Sequence, residues 1–296
     1  MEPKDLTQIK VSNPSKDCVP QALKQARNYL GPLLRPSSHG RLTSPSGNHS
    51  TCNLSDTHPL FIAIDIEAFE SAMDKVTEIG ISTFEMNDVN SKTVEPNVAD
   101  WFSQIHTRHL RVEKHKELVN KEYVRGCPDK FDFGTSEWIC LHQIESVMES
   151  AFYIPRETST ANPRFCDVVL VGHTMQDDVK FLESIGVSLE SFDTIIATID
   201  TQEMSSTITS LQKLTLALGD RHEHLHNAGN DAHYTMRAFL QLAAQPRIMG
   251  RADFDNVVLP AADVNFKRQR RQRRDFRRKK AEGRRLEQSK KEQEST

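Results

Sequence analysis

Residues 59–70 (PLFIAIDIEAFE) constrain the fold more than any other stretch of the chain. Their first part, residues 60–64, is a continuous apolar run rich in branched side chains, which predicts a strand buried on both faces. Asp65 and Glu67 follow with one residue between them, so both carboxylates leave the same face of the sheet. Two such acids repel each other and resist desolvation. A compensating divalent cation is therefore expected, and carboxylate oxygens suit Mg²⁺ or Mn²⁺.

An apolar strand followed by D-x-E also occurs by chance, so the acid pair alone does not establish a metal site. Residues 75–85 (KVTEIGISTFE) strengthen the interpretation, because they predict a second strand that is reached through a short polar turn. The acid-bearing strand would then be a central strand with an antiparallel neighbour in a hairpin.

The composition predicts one folded core with unstructured ends, because only 37% of the 296 residues are hydrophobic. Residues 1–57 show little apolar periodicity, and residues 34–55 are rich in Ser, Pro, Gly, Asn and His, which is typical of a disordered segment or linker. We therefore expect the folded domain to span residues 58–250 and a basic disordered tail to span residues 251–296.

The cysteines and the terminal sequences bear on the cellular compartment. The five cysteines are scattered and form no C-x-x-C pair, which argues for a reducing compartment and against a disulfide framework or a zinc knuckle. The N-terminus has no apolar signal region, and no apolar run reaches the roughly 18 residues of a membrane span. We expect an intracellular protein, in the nucleus, the cytoplasm or both.

Charge is divided unevenly along the chain. Residues 267–296 hold 14 Lys or Arg and 5 Asp or Glu, a net charge of +9, whereas the whole chain carries −3. Residues 1–266 therefore carry −12. A basic tail on an acidic body indicates either a nuclear-import signal or an arm that binds an anionic partner. The candidate nucleic-acid contacts of such an arm are Arg270, Arg271, Arg273, Arg274, Arg277 and Arg278.

Between the first hairpin and the next apolar strand, the pattern predicts a third strand over residues 101–112 and a helix over residues 113–123. Residues 125–138 (RGCPDKFDFGTSEW) then form a long, irregular and aromatic-rich connection. This connection is either a packed structural loop or one wall of a substrate groove, with aromatic rings on which bases stack.

A second strand-loop-helix unit follows later in the chain. Residues 167–172 predict a buried strand, residues 173–186 have the spacing of a helix, and residues 194–201 predict a further strand. Asp177 and Asp178 lie side by side near the start of the helix. Acids at that position can also serve as N-caps that the helix dipole stabilises.

Residues 222–233 (HEHLHNAGNDAH) allow two interpretations. The first is a zinc site on a strand made by the three alternating histidines, but no cysteine or fourth ligand lies at a suitable spacing: His222, His224 and His226. In the second interpretation, His226 precedes a helix that has Asn227 as its N-cap, and Asp231 lies in the first helical turn on the buried side.

These three motifs, taken in chain order, resemble those of the DEDDh 3′-5′ exonucleases, which have the ribonuclease H-like fold: Asp65 with Glu67, Asp178, and His226 with Asp231. The segments LHNAGNDA, GCPDKFDFGTSE and IDTQE are similar to a fungal exonuclease-domain family that includes the Argonaute-interacting exonuclease of the quelling pathway. One departure concerns Asp177, because the family usually has an aromatic or apolar residue there. This leaves open whether Asp177 or Asp178 is the ligand, although the register of the following Phe181 and Leu182 favours Asp178.

The resemblance implies an α/β, ribonuclease H-like fold. Its mixed five-stranded sheet would have the order 3-2-1-4-5 with strand 2 antiparallel, and helices would flank it. The N-terminal and basic C-terminal tails would remain disordered.

The resemblance also implies a chemistry and its participants. Two Mg²⁺ or Mn²⁺ ions would be held by Asp65, Glu67, Asp178 and Asp231, and His226 would deprotonate the attacking water. The activity would be metal-dependent 3′-5′ hydrolysis of single-stranded RNA or DNA, with RNA favoured, to 5′-mononucleotides. An Argonaute-type or other RNA-processing protein is a possible partner. The alternative is a non-catalytic nucleic-acid-binding or adaptor protein on the same fold.

Overall fold

The computed structural model describes residues 19–34, 58–86, 98–156 and 165–261, together with 263–266, 268 and 271. Its centre is one mixed sheet of six strands. In chain order the strands are β1 (Leu60–Phe69), β2 (Ala72–Phe84), β3 (His106–Val112), β4 (Glu137–Ile139), β5 (Val168–Gly172) and β6 (Ile195–Asp200). In space they lie in the order β4-β3-β2-β1-β5-β6, with β2 antiparallel to both neighbours and the other pairs parallel.

Helices cover both faces of this sheet. The α-helices of the described residues are α1 (Gln21–Tyr29), α2 (Gly31–Leu34), α3 (Val98–Phe102), α4 (Ile144–Phe152), α5 (Gln176–Ser184), α6 (Thr201–Met204), α7 (Leu211–Ala217), α8 (Ala228–Ala244) and α9 (Arg251–Asp255). Short 3₁₀ helices lie at Glu113–His115, Leu141–Gln143 and Leu189–Ser191. Among the described helices, none combines the length and the apolar character that crossing a bilayer requires.

Strand β1 separates two hydrophobic cores, which confirms the prediction of a strand buried on both faces. Phe61 and Ala63 face a core shared with α1 and α8. Ile62 and Ile64 face a second core shared with α4 and α5. Because side chains alternate along a strand, the odd-numbered residues that follow Ala63 also face α8.

The predicted strand order is confirmed for the five strands β3-β2-β1-β5-β6. The sixth strand, β4, was not predicted and adds parallel to β3 at the edge of the sheet. Its three residues are too few to show an alternating pattern, and they close the loop that the sequence placed at residues 125–138.

The predicted helix over residues 113–123 is wrong, since only the 3₁₀ turn Glu113–His115 forms there. The carboxylate of Glu70 accepts the three successive backbone N–H groups of residues 121–123 at 2.7–2.9 Å. The N–H groups of residues 121–123 therefore bond to Glu70, 51–53 residues earlier, and not to carbonyls within a helix. The predicted third strand also begins later than expected, at His106, because Trp101 belongs to α3 and is buried in the core.

The predicted N-terminal boundary needs correction. Helix α1 lies within the segment expected to be linker or disordered, yet its residues Leu23 and Ala26 are buried in the core beside α8. The Arg27 side chain also donates a hydrogen bond to the carbonyl of Ala243 at 3.1 Å. The sequence of residues 21–34 allows one or two amphipathic turns, but so short a segment does not show which part of the domain its apolar face packs against. The other residues of the predicted linker, 1–18 and 35–57, lie outside the described residues.

The predicted C-terminal boundary shifts as well. Helix α9 follows residue 250, and its Phe254 is buried in the core. The side chain of Gln212 donates a hydrogen bond to Asp263 at 2.7 Å, which ties a later residue to the domain. Of the six arginines predicted to bind nucleic acid, Arg271 is described and is exposed. Outside the described residues lie Arg270, Arg273, Arg274, Arg277 and Arg278.

The N-terminus of α8 lies unusually close to the sheet. A β-carbon at Gly80 on β2 would lie 1.8 Å from the carbonyl oxygen of Ala228, and one at Gly229 would lie 2.6 Å from Cβ of His109. Gly80 therefore allows two backbones to approach each other, and Gly229 allows α8 to lie against the side chains of His109 and Phe131. This close contact sets the distance between α8 and the acid-bearing strand.

Replacing Gly80 with Ala should push α8 away from β2. We expect the Gly80→Ala variant to lose about 1–3 kcal/mol or more of unfolding free energy, as overpacked cores do. Urea unfolding followed by circular dichroism measures this loss. The matched control is Gly31→Ala, where a β-carbon meets nothing within 4 Å. Equal stability of the two variants would contradict the close-approach role of Gly80.

Candidate active site

The β1–β2 hairpin fixes the first two predicted site residues. Asp65 lies opposite Gly80 and Glu67 lies opposite Glu78, so both acids point toward the α8 side of the sheet. The strand was expected to end near these acids, but it continues to Phe69. The two carboxylates are therefore held by strand pairing on the β2 side rather than by a loop.

The start of α5 places Asp178 beside β1. Strand β5 pairs with β1 only as far as Ala63, so the edge of β1 beyond that residue has no strand partner on this side. There the backbone N–H of Ile66 donates to Oδ1 of Asp178 at 2.8 Å. The neighbouring Asp177 is exposed and accepts a hydrogen bond from Lys180 at 2.9 Å. The structure thus brings Asp178, and not Asp177, to the acidic pair.

The first turn of α8 supplies the last two predicted residues. Asn227 is the N-cap, as predicted, and its side chain accepts the N–H of Asn230 at 3.1 Å. Asp231 is buried, and its Oδ2 accepts the backbone N–H of His226 at 3.0 Å. His226 itself has φ of +65°, in the left-handed region that non-glycine residues seldom adopt. Its carbonyl accepts the N–H of Cys127 at 3.1 Å, so the backbone is held on both sides.

The geometry brings three of these side chains into one cluster. Glu67, His226 and Asp231 each offer a ligand atom, and these atoms lie within 4.8 Å of one another. Within the described ranges no other group of three histidine, cysteine or acidic side chains meets this spacing. His222 bonds instead to the carbonyl of Gln212, and the imidazole of His224 bonds to Asp132 at 2.8 Å. The three-histidine zinc site is therefore not formed.

Burial and mutual repulsion dominate the electrostatics of the cluster. Burial raises the pKa of Asp178 and of Asp231 to about 8, although a backbone N–H bonded to each carboxylate opposes the shift. The pKa of Asp65 is raised well above its usual value by burial and then by the charge of Asp231. The pKa of Glu67 is raised in the same way, by burial and then by the charge of Glu78.

The donor set fits a divalent cation. Carboxylate oxygens are the ligands that Mg²⁺ and Mn²⁺ prefer, and a nearby cation reverses the pKa shifts that burial causes. The Oδ1 atom of Asp231 is buried and has no hydrogen-bond partner among the described residues. Buried carboxylate oxygens normally have a bonding partner, so this oxygen atom is available to bind a cation.

Three further residues of the site were not predicted. Glu78 is buried beside Glu67, and its carboxylate bonds to Nε2 of the fully buried His109 at 2.9 Å. Asn120 donates from its side-chain amide to the carbonyl of Ala68 at 2.8 Å and to Glu67 at 3.4 Å. An acid within the apolar second strand (TEIG) was a sign that Glu78 is buried. Its place beside Glu67 follows only from the hairpin register, which the sequence did not determine.

The loop over residues 125–138 uses its aromatic rings for packing. The ring of Phe133 stacks on His233 with 3.5 Å between centroids, and the ring of Phe131 lies 5.3 Å from that of His109. The side chain of Asn230 donates to the carbonyl of Lys130 at 2.7 Å, which ties the loop to α8. Of the two interpretations left open by the sequence, these contacts favour the packed structural loop.

Comparisons with known proteins give relatives from two yeasts. The uncharacterized protein YDR514C of Saccharomyces cerevisiae is 30% identical over 210 residues, which cover 64% of this chain and 42% of that protein. The protein named "Good for full DBP5 activity protein 2", also from S. cerevisiae, is 28% identical, with 60% of this chain and 34% of that protein covered. The chain thus spans less than half the length of these two relatives.

A third relative and a solved structure are also similar to this chain. The uncharacterized nucleolar protein C2C4.08 of Schizosaccharomyces pombe is 26% identical, and the match covers 71% of this chain and 76% of that protein. Among solved structures, a zinc-bound form of E. coli ExoI in complex with single-stranded DNA covers 67% of this chain and 42% of that chain, with a TM-score of 0.37 and 12% identity.

The family assignment rests on a match over the folded domain. The family model for the DNA polymerase III subunit epsilon-like, C-terminal domain, named DEDDh_C, matches residues 60–242, more than half of the chain. This range runs from the first residue of β1 into the last turn of α8, and so includes every predicted motif of the candidate site. The chain therefore belongs to the DEDDh exonuclease family.

Proposed function

We propose that this chain is a metal-dependent 3′-5′ exonuclease that hydrolyses single-stranded nucleic acid to 5′-mononucleotides. The observation that carries the proposal is the meeting of four separate segments at one point. Asp65 and Glu67 lie on β1, and Asp178 lies on α5. His226 lies in the turn before α8, and Asp231 lies on α8 itself. Their types and chain order match the DEDDh motifs at each position.

Two Mg²⁺ or Mn²⁺ ions are the proposed cofactors. The residues that would hold them are Asp65, Glu67, Asp178 and Asp231. The proposal leaves out Asp177, because its carboxylate is exposed and bonds to Lys180. When bound, such a pair of ions neutralises charge on the scissile phosphate and stabilises the leaving oxygen. The polypeptide contributes the positions of the oxygens, fixed by strand pairing and by backbone N–H bonds.

His226 is the proposed general base. Its side chain is exposed at the edge of the cluster, whereas the proposed ligand Asp231 is buried. Imidazole accepts protons readily near neutral pH, which suits removal of a proton from water. The water oxygen then attacks phosphorus, the bond to the 3′ oxygen of the preceding nucleotide breaks, and a 5′-mononucleotide leaves. The released 3′ oxygen takes a proton from solvent and becomes the new 3′-hydroxyl group. The proton taken from the water resides on the imidazole.

RNA is the preferred substrate in this proposal, because one relative is named as a nucleolar protein and the nucleolus is rich in RNA. The same name supports a nuclear location for this chain, with the cytoplasm as the other expected compartment. The relatives named above give no support to an Argonaute-type partner, so that expectation is not part of the proposal.

Nuclease assays on paired variants test the proposal. The Asp178→Asn variant should lose activity by about 10²-fold or more, because a proposed ligand is lost. Asp177→Asn should stay near the wild-type rate, because the carboxylate of Asp177 is exposed and bonds to the exposed side chain of Lys180. The measurement is release of 5′-mononucleotides from single-stranded RNA and DNA oligonucleotides in Mg²⁺ or Mn²⁺.

The pair of variants controls for misfolding, since both remove one charge from the same helical turn. An active Asp178→Asn variant with an inactive Asp177→Asn variant would show that the ligand assignment is off by one. A wild-type protein that binds oligonucleotides and hydrolyses none in either metal would favour the non-catalytic adaptor.

The stability of the metal-free protein should fall as the pH rises. Asp178 and Asp231 have a pKa of about 8 in the folded state, against roughly 3.9 for an unfolded aspartate. Between these values the folded state binds more protons than the unfolded state, so the free energy of unfolding decreases with pH. The stabilising effect is complete below about pH 4 and is lost as the pH passes 8.

Urea unfolding in EDTA across this pH range measures the effect. The free energy of unfolding of the Asp231→Asn variant should decrease less steeply with pH. Mg²⁺ should restore the stability of the wild-type protein at pH 8, because it binds the ionised carboxylates. A metal-free protein whose stability rises over the same range, or one that Mg²⁺ leaves unchanged, would contradict the proposed cation site.

The basic tail should contribute to binding rather than to catalysis. The acidic body repels phosphates, and each phosphate neutralised on a single strand adds about 0.7 to the slope of log K against log salt. If four to six tail charges engage, deleting residues 266–296 should flatten this slope by roughly 3–4. The kcat at saturating substrate should survive, because the deletion leaves the carboxylate cluster intact.

The measurement is oligonucleotide binding between low and physiological salt, in Ca²⁺ to block turnover, with the full chain and the deletion compared. Identical slopes for the two proteins would remove the recruiting role and leave the nuclear-import signal.

A further inference from the structure

Glu78 and His109 form a buried pair next to the candidate site, and the proposed mechanism uses neither of them. Glu78 is 5% exposed and His109 is fully buried. Their side chains meet at 2.9 Å, between Oε2 of Glu78 and Nε2 of His109. A buried hydrogen-bonded pair of polar side chains is weak evidence for stability by itself, so the position of this pair calls for another explanation.

The carboxylate of Glu78 connects three elements of the fold. On β2 it lies opposite Glu67, so the two side chains are neighbours on one face of the sheet. The same carboxylate bonds to His109 on β3 and accepts the backbone N–H of Ala228, the first residue of α8, at 3.4 Å. One side chain therefore ties the strand pair that carries Glu67 to the helix that carries Asp231.

The imidazole of His109 is itself held on every side. Its Nδ1 bonds to the hydroxyl of Ser136 at 2.8 Å, and its ring packs against Phe131. The absence of a side chain at Gly229 lets α8 lie directly against His109. The imidazole consequently fixes the orientation of the Glu78 carboxylate between the sheet and the helix.

This arrangement has an electrostatic cost. The charge of Glu78 is one of the causes that raise the pKa of Asp65, of Glu67 and of Asp231. A neutral residue at this position would relieve repulsion in the metal-free protein. The bonds of this carboxylate to His109 and to the N–H of Ala228 point to a use in holding the site.

We propose that Glu78 and His109 are positioning residues for the metal cage. They fix the first turn of α8 against β2, so that the proposed ligand Asp231 faces Glu67 and the proposed base His226 stays beside both. This role deepens the proposed function and rests on it. In metalloenzymes, residues that orient the ligands typically change metal affinity or activity by 10–100-fold when replaced.

Manganese binding to the full-length variants tests the pair directly. Mn²⁺ titration followed by electron paramagnetic resonance should show the Glu78→Ala variant binding about 10–100-fold more weakly than the wild type, with kcat lowered by a similar factor. His109→Ala should match it, and the double variant should be little worse, because the two residues act as one unit. Glu78→Gln should recover most of the loss, since an amide oxygen still accepts the Ala228 N–H.

The matched control is Thr107→Val, at the same interface of β2, β3 and α8. The Thr107 hydroxyl bonds to Ser82 at 2.8 Å and to Nδ1 of His233 at 2.9 Å. This contact joins the sheet to α8 at a later residue of the helix than the contact of Glu78 with Ala228. Its loss should lower the melting temperature while leaving Mn²⁺ affinity and kcat unchanged. Variants at Glu78 that lower only the melting temperature would overturn the positioning role.

Other outcomes also decide the question. If Glu78→Gln binds Mn²⁺ as weakly as Glu78→Ala, the loss of affinity comes from the missing charge of Glu78 and not from its missing hydrogen bonds. The proposal is then wrong. If the wild type binds Mn²⁺ and hydrolyses no oligonucleotide, the proposed function fails while the effect of Glu78 on Mn²⁺ affinity still tests the positioning role.

Discussion

Repulsion among buried carboxylates is the constraint on which the rest of the structure depends. Four acids from three elements, with Glu78 beside them, meet where burial raises the pKa of each of the four: Asp65, Glu67, Asp178 and Asp231. Nothing within such a group draws its members together, so the surrounding fold must hold them in place. It does so with two hydrophobic cores, one on each face of the sheet, and β1 contributes side chains to both. The strand that carries two of the acids is therefore among the most firmly packed elements.

Each acid is oriented by a feature of the backbone. Asp178 accepts the N–H of Ile66 at the edge of β1 that β5 leaves unpaired, and Asp231 accepts the N–H of His226. Asp65 and Glu67 take their direction from the hairpin register. Because backbone groups move little once the sheet and helix are packed, the oxygens are arranged before any cation arrives. Such preorganisation is what a precise metal site requires of its scaffold.

The sequence predicted the elements that carry strong local patterns and failed where distant contacts decide. The apolar runs predicted β1, β5 and β6, and Asn227 predicted the start of α8, whereas the order of the strands followed from the resemblance to the exonuclease family. The packing of α1 was not predicted because its partners α6, α8 and β6 lie far away in sequence, and Arg27 also bonds to Ala243 of α8. The helix expected at residues 113–123 fails because Glu70 binds the amides of its last residues. Glu78 could be placed in the site only after the hairpin register was known.

The backbone of His226 links the proposed base to a proposed ligand. Its N–H donates to Asp231 and its carbonyl accepts from Cys127, and together these bonds hold a conformation that an unconstrained histidine rarely adopts. A shift of the Asp231 carboxylate would therefore also release the backbone of His226. Asp231 also lies on a helix whose first residue is held by Glu78. The positions of His226, Asp231 and the Glu78–His109 pair therefore depend on one another. The loop at Cys127 is joined to these residues as well, which gives an irregular but packed connection a defined role in shaping the site.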